Sequence, residues 1–175
     1  AEIVADLPDV ARVLVPLSGG GLIAGIALAV KALAPQARII GVSMEHGAAM
    51  QASLQAGEPV EVKEEETLAD SLGGGIGLAN RYTFSMARDL VDQVVLVSEA
   101  DIADAIAAFY RLEQIVCEGA AAVGLAALLS RQVPPDGGRT VLVVSGRNID
   151  MALHHRLAAQ PGVAESVSPS GARSA

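Results

Sequence analysis

The sequence predicts an α/β protein, a mostly parallel sheet with helices on both faces. Three observations predict it. Short aliphatic runs of strand length alternate with stretches of helical apolar spacing. Glycine or proline marks most of the junctions between them. Of the 175 residues 51% are hydrophobic, yet there is no Trp and only two Phe and two Tyr. The core must therefore be built from alanine and branched aliphatics, which suits helices packed closely over buried parallel strands. Strands alternating with helices imply parallel crossovers.

The elements follow in order. Val13 to Leu17 is an apolar strand, ended by Ser18-Gly19-Gly20-Gly21. A helix follows from Leu22 to about Leu33, and Pro35 ends it, because proline cannot continue the hydrogen-bond ladder and biases its predecessor away from helix. Arg38 to Ser43 is the second strand, and Ala48 to Leu54 a short helix closed by Gly57 and Pro59. Lys63-Glu64-Glu65-Glu66 is a solvated charge run, and Thr67 to Gly77 a glycine-dense loop. Arg81 to Leu90 is helical, and Asp92 and Gln93 lead into strand Val94 to Val97. Ser98 with Asp101 three residues on is a capping-box pattern, with Asp where Glu or Gln is usual, opening a helix from Glu99 to about Glu113. Ala120 to Leu129 is a further helix. Pro134 to Gly138 is a turn cluster, and Thr140 to Val144 the most strand-like run. The Ser-, Gly-, Ala- and Pro-rich tail from Pro161 onward is expected to be disordered, leaving residues 1–160 as the folded domain.

Charge and cysteine usage exclude several partners. The formal net charge is −8, with no contiguous basic stretch to meet nucleic acid or an anionic membrane surface. No apolar run approaches the roughly 18 residues of a membrane span. One cysteine, Cys117, cannot form an internal disulfide, and its apolar surroundings predict a buried, inert thiol in a reducing cytosol. The chain opens without an initiator Met or a signal peptide, directly before its first strand, so it is expected to continue upstream.

In parallel sheets, ligands bind beyond the carboxyl ends of the strands. Two loops stand out there, Ser18 to Gly21 after the first strand and Ser145-Gly146-Arg147-Asn148 after the last. Three consecutive glycines let the backbone approach a ligand closely and take positive φ. The free N–H groups and the positive dipole end of the helix starting near Leu22 then make an anion site suited to a phosphate monoester, to which Ser18 adds a hydroxyl. A ligand-free strand-to-helix turn explains the same residues. With no lysine, the loop is not a Walker A motif. The spacing Gly19-x-Gly21-x-x-x-Gly25, with Glu45 past the second strand, partly mimics a dinucleotide fingerprint. Ser145 would sit at the carboxyl edge of the sheet, where a hydroxyl can hydrogen-bond a neutral heteroaromatic nitrogen. A carboxylate there would stabilise a pyridinium instead, so serine limits the electron sink and favours β-elimination. A local turn hydroxyl is the plainer reading of the same residue.

Four segments in order carry a family resemblance. Val15 to Ala27 resembles the phosphate loop of fold-type II pyridoxal-phosphate enzymes, the tryptophan-synthase-β-like group. Thr67-Leu68-Ala69-Asp70 resembles the "T-[IL]-A-D-G" segment, Glu118 to Gly124 the "E-x-x-[AG]-G/A" helix start, and Val144 to Asp150 the "L-S-G-G-N-x-D" segment of the serine/threonine dehydratase and serine racemase branch. Ser43 to Met50 and Leu68 to Gly77 look most like hydroxyectoine-utilisation dehydratases. The resemblance implies the large, cofactor-binding domain of a pyridoxal 5'-phosphate lyase. Its substrate would be a hydroxy amino acid, converted to a 2-oxo acid and ammonia.

Carried onto this chain, the resemblance gives the cofactor phosphate to the amides of Gly19, Gly20, Gly21 and Leu22, with Ser18 in a position often glycine. Ser145 takes the pyridine nitrogen, Glu118 lines the pocket near the ring, and Asn148 follows in the same segment. The backbone near Asp70 and Ser71 closes the other side, although Ser71 stands where the family has glycine. Some relatives bind a divalent cation through positions matching Glu45, Ala49 and Gln51; Gln51 removes a charged ligand, so no metal is predicted. His46, His154 and His155 have no metal spacing, and the adjacent pair is read as surface residues.

The family's cofactor-binding lysine has no counterpart here. The only lysines are Lys31, well along a helix, and Lys63, in an acidic loop, and both read as surface residues. The resemblance thus implies a C-terminal part that needs an N-terminal segment for catalysis and, when complete, assembles as a homodimer or larger. Two other readings stand beside it. A nicotinamide-dependent oxidoreductase domain predicts dinucleotide affinity. A non-catalytic binding or regulatory module predicts a full gene without any lysine-bearing segment.

Overall fold

The computed structural model describes residues 1–159. Its four strands are β1 (Val10–Pro16), β2 (Arg38–Met44), β3 (Gln93–Val97) and β4 (Arg139–Leu142), in the order β3-β2-β1-β4 with every pairing parallel. The helices are α1 (Glu2–Asp6), α2 (Gly21–Leu33), α3 (Ala49–Ala56), α4 (Thr83–Leu90), α5 (Glu99–Glu113), α6 (Gly119–Leu129) and α7 (Met151–Ala158). A single 3-10 turn, Asp70–Leu72, interrupts the loop between α3 and α4.

Successive side chains of a strand point to opposite faces, and β1 sorts its residues accordingly. Val13 and Val15 join Ile39, Ile23, Ala27, Val30 and Phe84 on the face covered by α2 and α4. Leu14 joins Ile40, Val42, Ile102, Ile106, Phe109 and Val123 on the face covered by α5 and α6. The sheet is therefore covered on both sides, as the aliphatic runs predict. Alanines 120, 121 and 122 are buried in α6, and Gly124 lets that helix approach Leu14 and Leu142. This is how a core with so few aromatics reaches contact.

The predicted elements stand with shifted ends. α2 stops at Leu33, with its C-cap at Ala34 just before Pro35. The Ser98 capping box is present, Asp101 N–H donating to Ser98 Oγ at 3.2 Å and Ser98 N–H to Asp101 Oδ2 at 3.1 Å. β4 ends at Leu142, two residues short of the predicted Val144, although Val143 N–H still donates to the Leu14 carbonyl at 3.0 Å. β1 starts three residues early and includes Arg12. This guanidinium is buried because it donates to Thr140 Oγ1 (2.7 Å) and the Pro134 carbonyl (2.8 Å) and pairs with Asp136 (3.2 Å).

One histidine reading is corrected. His155 is exposed, but His154 is buried at 3% exposure. It stands edge-on to the Tyr110 ring, centroids 5.1 Å apart, because the burial stripe of α7 runs through positions 154 and 157. The tail expected to be disordered lies outside the described residues.

Candidate functional site

β1 ends at Pro16, and the chain turns at once into α2. Gly20, at the N-cap, has φ +89°, a left-handed conformation that glycine adopts without cost. A Cβ there would meet Met50 Cε at 2.7 Å and Thr83 Cβ at 3.0 Å, so the turn is also pressed against α3 and α4. A Cβ at Gly19 or Gly21 would meet nothing within 4 Å. No side chain caps α2, and no acidic residue lies in its first turn. Its leading N–H groups and positive dipole end are therefore available to an anion.

The loop after β4 is fixed from the other side. Glu118 is the N-cap of α6, yet its carboxylate makes no capping bond to that helix. Instead it accepts the Asn148 N–H at 3.2 Å, while its own N–H donates to the Gly146 carbonyl at 3.3 Å. A Cβ on Gly146 would collide with the Glu118 carboxylate, whose Cδ would lie 2.8 Å away. A side chain at 146 would therefore displace the Glu118 carboxylate from its bond to the Asn148 N–H. Ser145, just before it, is exposed, and its hydroxyl has no hydrogen-bond partner among the described residues.

These loops meet at one cavity of about 190 Å³, lined by Pro16, Ser18 to Leu22, Ser71, Leu72, Glu118, Ala120 and Ser145. Eight of the nine residues singled out from the sequence for the cofactor are on that wall. Asn148 is not; its backbone holds Glu118 instead. Pro16, Leu72 and Ala120 were missed. They are apolar neighbours of recognised residues, and only the fold shows which apolar side chains face a cavity.

The remaining candidates lie elsewhere. Glu45 and His46 are exposed, and neither lines the cavity. Among the described residues no group of three His, Cys, Asp or Glu is placed to hold a metal. Lys63 is exposed, as read. Lys31 is not a freely solvated surface residue. Its Nζ donates to both Asp92 oxygens (2.9 and 2.7 Å) and to the Ala37 carbonyl (3.0 Å). Burial pushes the Asp92 carboxyl up, but hydrogen bonds from Lys31 and the Ile39 N–H, with the charges of Lys31 and Arg38, outweigh it and hold the group below its ordinary range. No lysine lines the cavity. Cys117 is buried, and burial together with the neighbouring Glu118 charge pushes its thiol up to about 11, so it stays protonated near neutrality.

Known proteins share this fold. The processed form of threonine deaminase isoform 2 from Solanum lycopersicum superposes with a TM-score of 0.81 at 34% identity, over 89% of this chain and 46% of that one. Maize serine racemase superposes with a TM-score of 0.79 at 32% identity, over 89% and 48%. A Sinorhizobium fredii protein, provisionally named a threonine dehydratase, is 62% identical over 156 residues, 89% of this chain and 47% of the relative. The L-threonine ammonia-lyase of Geobacter sulfurreducens is 49% identical over 150 residues, 86% of this chain and 37% of the relative. The chain thus spans about half the length, or less, of the relatives it matches. The profile of the pyridoxal-phosphate dependent enzymes matches residues 1–146, a stretch that runs from α1 through β4 to Gly146 and takes in every residue of the cavity wall. By that match, this chain belongs to the pyridoxal-phosphate dependent enzyme family.

Proposed function

We propose that this chain is the cofactor-binding part of an ammonia-lyase that converts a hydroxy amino acid, threonine or serine, to a 2-oxo acid and ammonia. The observation that carries the reading is the single cavity joining the uncapped start of α2 to the Ser145 hydroxyl. A phosphate ester at one end and a ring nitrogen at the other suit those two walls. The glycines leave the backbone open to the first, and a neutral donor meets the second.

When bound, pyridoxal phosphate supplies an electron sink that acidifies the substrate's α-proton and lets the β-hydroxyl depart. The amides of Gly19 to Leu22 hold the phosphate, with the Ser18 hydroxyl beside them. Ser145 would offer the ring nitrogen a neutral hydroxyl donor rather than a charged partner. Glu118 keeps residues 146–148 in place, and Asn148 contributes through its backbone. Ser71 and Leu72 form the opposing part of the wall. The cavity is smaller than the roughly 300–1,000 Å³ common for small-molecule sites, which fits a site whose remaining wall and lysine come from another segment. A cytosolic location and a complete enzyme that assembles as a homodimer or larger belong to the same proposal.

The nicotinamide reading loses its main support, because Glu45 does not line the cavity that holds the glycine loop. The test is a pyridoxal-phosphate titration of the purified chain, followed by borohydride reduction and peptide mapping, with NAD as control. Saturable binding of the cofactor and not of NAD, weakened by Ser145→Ala and without a lysine adduct, is expected. A stoichiometric adduct at Lys31 or Lys63, or binding of NAD alone, would overturn the reading.

A further inference from the structure

The segment that carries Ser71 and Leu72 into the cavity is tied to α5 by a small hydrogen-bond network. Glu99 is the first residue of α5, and its carboxylate reaches back across the fold. Thr67 Oγ1 donates to Glu99 Oε1 at 2.5 Å, and the Leu68 N–H donates to Glu99 Oε2 at 2.7 Å. Thr67 Oγ1 in turn accepts the Ala69 N–H at 3.0 Å. Two consecutive residues are thus fixed by one carboxylate and a third by the threonine it holds, immediately before the 3-10 turn Asp70–Leu72. A second constraint acts from α6, where the Leu68 carbonyl lies so close to Gly119 that a Cβ there would overlap it. Ala69 and Leu72 are buried between these two grips.

Neither oxygen of Glu99 touches the cavity, and the helix does not need it as a cap, because Ser98 and Asp101 already fill that role. A first-turn acid interacts favourably with a helix dipole, but an exposed rotamer would supply that interaction equally well. The carboxylate is instead spent on a segment some thirty residues earlier in the chain. We propose that Glu99, acting through Thr67, is a positioning residue that holds the Ser71–Leu72 wall of the cavity in place for the cofactor. The proposal rests on the cofactor reading above and deepens it.

The test uses the complete gene product and measures cofactor affinity on protein shown to be folded by circular dichroism. Glu99→Ala is expected to weaken pyridoxal-phosphate binding about tenfold, the scale of a charge-assisted hydrogen bond. Thr67→Val should act in the same direction. The double variant should bind no worse than the weaker single variant, since both changes cut the same linkage. Glu99→Gln should recover most of the affinity, because its amide can still accept from Leu68 N–H and donate to Thr67 Oγ1. Should Glu99→Ala fail to fold, Thr67→Val and Glu99→Gln carry the comparison. If the wild type binds the cofactor and the folded variants bind it equally well, or the two losses simply add, Glu99 is a stabilising residue only and the proposal falls. If the wild type itself fails to bind, the cofactor reading falls first and takes this inference with it.

Discussion

Residues 18–22 line the cavity, and so do Ser71 and Leu72 at the end of segment 67–72, but the two stretches are held by different means. The first loop is shaped by its own backbone. A strand ends, one glycine takes a left-handed turn, and a helix begins, all within a few residues. The second is shaped by groups distant in the chain, Glu99 on α5 and Gly119 on α6. A locally coded wall should tolerate change everywhere except at its conformational pivot. A wall coded at a distance should fail when its remote supports fail, even though its own residues are intact.

The remote wall gives the largest expected effect. In Gly119→Ala the new methyl would overlap the Leu68 carbonyl and lie 3.0 Å from Ala69 N. Both are backbone atoms with no rotamer to escape into. The loss of stability should be about 3 kcal/mol, at the upper end of overpacking penalties. Urea denaturation read by circular dichroism measures it. A wild-type midpoint would mean that residues 67–69 yield readily, and the contrast between the walls would dissolve.

The local wall should break next, and at one position. Gly20→Ala places a side chain at φ +89°, at a cost of about 1–2 kcal/mol. Met50 Cε, the nearest atom, is the end of a flexible side chain and can move aside. Gly19→Ala and Gly21→Ala have open space, so each should change stability by less than about 0.5 kcal/mol. Because both line the cavity, their methyls should nonetheless lower affinity for inorganic phosphate and for pyridoxal phosphate. Calorimetric titration of the three variants separates fold from binding. Equal losses of stability at all three positions would show that this loop, too, depends on its surroundings.

This contrast explains how much could be read from the sequence. The alternation of strands and helices was legible because aliphatic runs, Pro35 and the Ser98–Asp101 cap are local signals. So was the glycine loop. The last strand was read too long at its end because Val143 and Val144 are as apolar as the strand proper, and composition alone does not show where the ladder stops. Arg12 was invisible as a core residue: nothing local shows that Thr140, Pro134 and Asp136 wait to receive its guanidinium. His154 was misread because two adjacent histidines on a helix share no face, and the packing of Tyr110 decides which is buried. Glu99 was recognised only as an early helical residue, since its partners lie in another loop.

Ser145 lies beyond both walls and sharpens the comparison from a third side. It is exposed, and no group among the described residues bonds its hydroxyl. Ser145→Ala should therefore leave stability within about 0.5 kcal/mol. Cofactor affinity should fall by about 0.5–1.5 kcal/mol, the net contribution of one neutral hydrogen bond. Absorbance titration with pyridoxal phosphate reads the difference, and an unchanged Kd would remove Ser145 from the ring site.

The smallest effect is expected at Ser71, and its smallness is informative. The family pattern has glycine there, which raises the question of whether the turn needs a glycine conformation. It does not, because Ser71 is absent from the positive-φ residues, of which Gln114 and Arg131 are the only non-glycine examples among the described residues. Its N–H donates to Asp70 Oδ1 at 2.7 Å, a bond that glycine would keep, and its hydroxyl adds only a longer contact of 3.3 Å to the same oxygen. Ser71→Gly should thus lower stability by no more than about 0.5–1 kcal/mol, through the greater backbone freedom of glycine when unfolded. Cofactor affinity should change by less than about threefold, since the position of this wall is set upstream at Thr67 and Leu68. Thermal unfolding with a parallel cofactor titration tests both numbers. A large gain in affinity would mean that the serine side chain itself narrows the cavity. The wall would then be tuned by its own residue as well as by Glu99, and the division between local and remote control would have to be redrawn at position 71.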